Sequence, residues 1–148
     1  MATIKAFADK WKALNLQKEA MFVVAETSDE ITDLNKEQLL SGEDKESKRI
    51  RPKYKSPSYA RKKNEMNSLP GLGTPDLRLK GDFFKGFVVR LQGDTSIEIT
   101  SKDSKTAKLV SQYGVNIFGL QKASIQQYRQ DSFMAKLAQR VKDKTGAK

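Results

Sequence analysis

The sequence contains neither cysteine nor histidine. Without cysteine there is no disulfide framework, no thiol nucleophile and no thiolate metal site. Without histidine the commonest metal ligand is gone, and so is the only side chain that titrates unperturbed near neutrality. Catalysis would have to rest on carboxylates, Lys, Tyr or Ser gathered in a pocket, and the acids are scattered along the chain. Asp29 and Asp33 share a helix face at i and i+4, but a hard cation wants more converging oxygens than two, so they read as solvated surface. The expectation is a protein with no catalytic residue, no cofactor and no metal. Long apolar runs are missing as well: nothing approaches the roughly 20 residues of a membrane span, and no apolar signal-peptide core follows Met1 to Lys5. No membrane partner and a cytosol-like compartment are expected.

What is present suits one domain of 148 residues, 37% hydrophobic and 31% charged, with a formal net charge of +10. The charge is uneven. Residues 1–42 sum to −2, residues 43–64 to +6, residues 65–100 to −1 and residues 101–148 to +7. Positive charge therefore belongs to a middle segment and the C-terminal third.

Periodicity divides the chain further. Ile4, Phe7, Ala8, Trp11 and Leu14, behind Thr3 as N-cap, recur at helical spacing, and the rhythm continues from Leu16 through Leu39 to a stop at Ser41-Gly42. One long N-terminal helix, or two with a break near Asn15, is predicted. Trp11 could anchor an interface, but its place beside Phe7 and Leu14 reads first as core or helix packing, and Phe83, Phe84, Phe87 and Phe118 read as core. Residues 43–64 are rich in Lys, Arg and Ser. Pro52 and Pro57 exclude continuous helix between them, so an extended basic arm or a loose hairpin is predicted, with Ser58 capping a short helical turn toward Lys63. Residues 65–76 read as a linker loop. The Gly71-Leu72-Gly73 inside it lacks the Lys-Ser/Thr of a phosphate loop.

The clearest element is a β-hairpin: Phe87, Val89 and Leu91 alternate with Val88 and Arg90, Gln92-Gly93-Asp94 supplies the turn, and Ile97 and Ile99 alternate with Ser96, Glu98 and Thr100. Ser101 or Asp103 then caps a helix that ends at Gly114, and a last helix capped near Asp131 runs to Gly146. The predicted fold class is α+β: a small antiparallel sheet including the hairpin, packed by the N-terminal helix and the C-terminal helices, with the basic arm extended from it.

The order of these features resembles a known family. Asp33-Leu34-Asn35-Lys36-Glu37-Gln38-Leu39, Pro52-Lys53-Tyr54, Ser58-Tyr59-Ala60, Leu79-Lys80-Gly81-Asp82-Phe83, the hairpin, Tyr113-Gly114 and Ile117-Phe118-Gly119-Leu120 are similar to small neck proteins of tailed phages, in the tail-completion and virion-morphogenesis family. In that family a Leu-x-x-Thr-Gly segment opens the sheet, and here Lys80 stands where the Thr usually is. The resemblance implies a head-to-tail connector subunit, a homo-oligomeric ring docked on other neck or portal proteins. It also implies no cofactor or small-molecule substrate, assembly in the host cytoplasm and a final place in the virion. A ring around a DNA channel leaves two places for the positive charge: against acidic partners of the assembly, or lining the passage in contact with packaged DNA.

The candidate contact residues are Lys48, Arg49, Arg51, Lys53, Tyr54, Lys55, Tyr59, Arg61, Lys62 and Lys63. Cations interleaved with aromatics suit an acidic protein surface, or phosphates with stacked bases, which is the reading of a nucleic-acid-binding accessory protein that also uses the basic C-terminal helix. Deleting residues 43–63 is expected to leave the core folded and to abolish assembly.

Overall fold

The computed structural model describes residues 4–78, 81–93 and 96–146, except the side chains of Phe7, Lys12 and Ala13. Thr3, the Leu79-Lys80 pair of the resemblance and Asp94 of the hairpin turn lie outside the described residues.

The architecture is α+β. Three helices open the chain, α1 (Ile4–Ala13), α2 (Leu16–Glu26) and α3 (Ser28–Leu40). The break near Asn15 is present, and a second, unpredicted one follows at Thr27. Asn15 ends the first stretch by capping the second, its side-chain oxygen accepting the amide of Lys18 at 3.1 Å. The second break, at Thr27, carries no Gly or Pro signal. The Thr27 hydroxyl reaches back to the carbonyl of Val23 at 2.8 Å and lies 2.6 Å from the Tyr128 hydroxyl; a Ser or Thr bonded to its i−4 carbonyl bends a helix.

The next segment departs from the extended arm predicted for residues 43–64. Residues 43–49 fold into a tight turn closed by an antiparallel bridge between Glu43 and Arg49. The Asp44 carboxylate accepts the amides of Glu46 and Lys48 inside it. Ile50, 3% exposed, is anchored in the core. Helix α4 (Pro57–Met66) follows, capped by Ser56, whose hydroxyl accepts the amide of Tyr59, with Pro57 at the first helical position. No helix lies between Pro52 and Pro57, as expected; the helix that follows begins at Pro57, with Ser56 in place of Ser58 as its cap. The loop of residues 65–76 is packed rather than free: Thr74 and Asp76 are buried. Gly42 sits under it at φ +76°, where a Cβ would lie 2.6 Å from that of Pro70. Deleting residues 43–63 would remove Ile50 and half of a buried ion pair described below, so the core is not independent of that segment.

The short helix α5 (Asp82–Lys85) delivers Phe83 and Phe84 to the core and leads into the hairpin, β1 (Phe87–Gln92) and β2 (Ser96–Ser101). The strands pair antiparallel with Phe87 opposite Ser101, Val89 opposite Ile99 and Leu91 opposite Ile97. That row faces the core, and its burial fades toward the turn: Phe87 is 7% exposed and Leu91 46%. Helix α6 (Thr106–Tyr113) ends at Gly114, φ +92°. A 3₁₀ turn (Val115–Ile117) follows, then α7 (Lys122–Tyr128), a π-helical turn (Arg129–Phe133) and α8 (Met134–Thr145). The last helix does not start at Asp131, because α7 runs into α8 through the π turn.

Ile31, Leu39, Ile50, Phe83, Phe84, Phe87, Ile99 and Ile117 form the core. Its aromatic part is the contact of Phe87 with Phe83 (centroids 5.0 Å, 82°) and with Phe118 (5.3 Å, 56°). One polar seam crosses it. Asn35, fully buried, donates to the carbonyl of Ile117 and accepts the amide of Gly119, both at 2.9 Å. One turn later Gln38 donates to the carbonyl of Gly119 and accepts the amide of Gln121, both at 2.8 Å. Two side-chain amides of α3 therefore satisfy the backbone of a loop that would otherwise bury unpaired polar groups. The sequence segments 33–39 and 117–120, both part of the family resemblance, are the two halves of this seam.

Candidate functional site: a tyrosine pocket under the basic segment

The basic segment does not act as one surface. Lys63 is 6% exposed. Its ammonium lies 2.8 Å from Asp76, whose side chain is 4% exposed, and it donates to the carbonyl of Arg78. Asp76 also accepts the amide of Arg78 at 3.0 Å and the side-chain amide of Asn67 at 3.1 Å. Asn67 in turn donates to the carbonyl of Leu40. A charged pair buried this deeply is tolerable only with such further bonds. Lys63, predicted as a contact residue, is here a structural tie between α4 and the 67–78 loop. Arg49 is also engaged, its guanidinium donating to the carbonyl of Pro70. Lys48 is exposed and pairs with Glu46 at 3.3 Å. Arg51, Lys53, Lys55, Arg61 and Lys62 are exposed.

The two aromatics of the segment converge. Tyr54 is placed by its amide bonding to the carbonyl of Gly73 at 2.9 Å. Tyr59 sits on the first turn of α4, and their rings meet edge to face, centroids 4.9 Å apart at 84°. Together with Tyr113, Phe83, Leu77 and Leu109 they line a cavity of about 160 Å³, with Lys63, Arg78, Lys105 and Asp82 among its polar walls. Burial pushes the Tyr54 hydroxyl well above the ordinary tyrosine range, and the Asp76 carboxylate adds to this. Burial, then Tyr59, raises Tyr113. Both phenols stay protonated at neutral pH, so the tyrosine part of the lining is uncharged, and Lys63, Arg78, Lys105 and Asp82 supply the charged part.

Tyr113, Leu109, Arg78 and Lys105 were not singled out as site residues in the sequence. In the sequence Tyr113 marks a helix end before Gly114 and belongs to the Tyr113-Gly114 pair of the resemblance, but nothing local announces that α6 lies across from α4. The basic C-terminal helix is partly occupied too. Arg140 and Lys144 both bond to Glu19 on α2, at 2.8 and 2.9 Å, and the Arg140 guanidinium stacks 4.8 Å from the ring centroid of Phe22.

Among the described residues no three acidic side chains gather as a metal site, and no helix is long and apolar enough to cross a membrane. No family model, curated protein or solved structure matches this chain.

Proposed function

We propose that the chain is a structural subunit of a tailed-phage head-to-tail connection, a neck-ring or tail-completion protein. It works by oligomerisation and protein–protein binding, without a catalytic residue. The sequence resemblance supplies the family. The observation that carries the binding role is the distribution of exposed apolar side chains on a strongly basic chain. Ile4, Trp11, Leu16 and Phe22 stand 89%, 43%, 54% and 43% exposed on α1 and α2. Leu91, Val115 and Ile125 stand 46%, 69% and 42% exposed on the hairpin, the 3₁₀ turn and α7. Val115 and Ile125 border one shared depression, and contiguous exposed apolar surface marks where other proteins bind. Apolar side chains exposed at different places on one chain suit head-to-tail contacts, which close into a ring when the rotation between subunits closes.

Sedimentation velocity across a concentration series tests this reading. Self-association that Trp11→Glu combined with Phe22→Glu weakens at least tenfold, without loss of the folded state, is the expected outcome. A chain that stays monomeric at millimolar concentration removes the ring.

A nucleic-acid-binding accessory role is the second reading, favoured by the exposure of Arg51, Lys53, Lys55, Arg61 and Lys62. Affinity for a labelled DNA duplex across a salt series separates the two. Four or more phosphate contacts give a log–log slope of about −3.6 or steeper, whereas weak binding leaves these cations to protein partners.

A further inference from the structure

We propose that the cavity between α4, α5 and α6 is a socket for one aromatic side chain, of Phe or Tyr size, presented by an acidic segment of a partner protein. The inference rests on the reading of this chain as a protein-binding subunit and names the chemistry of one partner.

Three observations carry it. The first is size and lining: about 160 Å³ walled largely by the carbon of Tyr54, Tyr59, Tyr113, Phe83, Leu77 and Leu109. Apolar cavities of this size take a single benzene ring. The second is shape. Tyr54 and Tyr59 stand nearly perpendicular, so they present a face and an edge at a corner. A third ring entering that corner meets edge-to-face partners, the favoured arrangement for aromatic clusters. The third is charge. Arg78 and Lys105 border the cavity against a single carboxylate, Asp82, because Lys63 is already neutralised by Asp76. Lys53, Lys55 and Lys62 are exposed on the same stretch of chain that supplies Tyr54 and Tyr59. Cations around an uncharged aromatic hole select an apolar anchor flanked by carboxylates.

A nucleobase fits less well. Its polar edge atoms would face carbon and lose hydrogen bonds to water without replacement, and a perpendicular ring pair offers no parallel slot for stacking.

The test is calorimetric titration of the full chain with the peptide Ac-Asp-Glu-Phe-Glu-Asp-NH2, the same peptide with Ala for Phe, and a ten-nucleotide oligothymidylate. The Phe peptide is expected to bind at least tenfold tighter than the Ala peptide, since burial of a Phe side chain is worth about that factor or more. Leu109→Trp, which fills the cavity, should abolish the difference. Tyr59→Ala, which removes a ring already 37% exposed, should reduce it severalfold even where the Trp variant fails to fold. Arg78→Glu with Lys105→Glu should weaken both peptides about tenfold. Equal binding of the two peptides would mean attraction by charge alone and overturn the socket. Binding of the oligonucleotide that Leu109→Trp abolishes, with neither peptide bound, would overturn it in favour of a base pocket. A chain that self-associates normally yet ignores all three probes would also overturn it, and would leave the assembly reading standing.

Discussion

Two ion-pair sites in this molecule use the same chemistry under opposite conditions. At the Lys63–Asp76 site both partners are nearly sealed, 7% and 4% exposed. At the Glu19 site only the carboxylate is covered, at 4%, while Arg140 and Lys144 are 25% and 51% exposed. A sealed pair contributes little over an apolar substitute, yet it is costly to break because the surviving charge has nowhere to go. A half-open pair is cheap to break, since its cations return to water, and it responds to pH and salt. The first site therefore fixes a geometry, the 67–78 loop over α4 and hence the wall of the tyrosine pocket. The second fastens α8 to α2 adjustably.

The largest effect should come from Lys63→Met. It strands the Asp76 carboxylate and is expected to cost about 3–5 kcal/mol, read as a fall of roughly 10 °C or more in the unfolding midpoint. A loss below about 1 kcal/mol would place this pair with the open one. Glu19→Leu should cost about 1 kcal/mol or less, because Arg140 keeps Glu26 at 3.2 Å and its stack on Phe22.

The pH response sharpens the contrast. The hydrogen bond from Lys144 holds the Glu19 carboxyl below its ordinary value of 4.5, against the opposing effect of burial, with Arg140 adding to the depression. A carboxylate lowered on folding stabilises the native state above its unfolded pKa. That contribution disappears as pH falls through the folded value. Thermal unfolding from pH 6 down to pH 3 should show an acid-side loss that Glu19→Gln makes shallower. Identical slopes in the two proteins would sever the link to Glu19. The smallest effect is that of salt. Raising NaCl to 1 M should shrink the difference between wild type and Glu19→Gln by a few tenths of a kcal/mol, and leave the Lys63→Met difference nearly unchanged.

The same contrast explains what the sequence disclosed. Elements set by local rules were legible. The hairpin follows from period-two alternation, Gly114 and Gly146 end their helices, and Asn15 marks a break. The fate of charged and amide side chains was not, because it depends on partners far along the chain. Lys63 looks like its neighbours Arg61 and Lys62 until Asp76 is brought against it. Asn35 and Gln38 resemble ordinary polar positions of an amphipathic helix until the 117–121 backbone lies across them. Thr27 fits the helical rhythm and bends it only through its hydroxyl. Of the candidate site, Tyr54 and Tyr59 could be named from their setting among cations. Tyr113, Arg78 and Lys105 reach the pocket only through the packing of α6 and the 67–78 loop.

The amide seam of α3 also governs the order in which this protein can be made. Asn35 and Gln38 find their partners 81 to 84 residues downstream. During synthesis the first three helices emerge with their buried polar groups unanswered, and the core cannot close until residue 121 has left the ribosome. Long-range closure of this kind slows folding and prolongs the exposure of apolar surface. Ile4, Trp11, Leu16 and Phe22, exposed even in the finished fold, are in water throughout that interval.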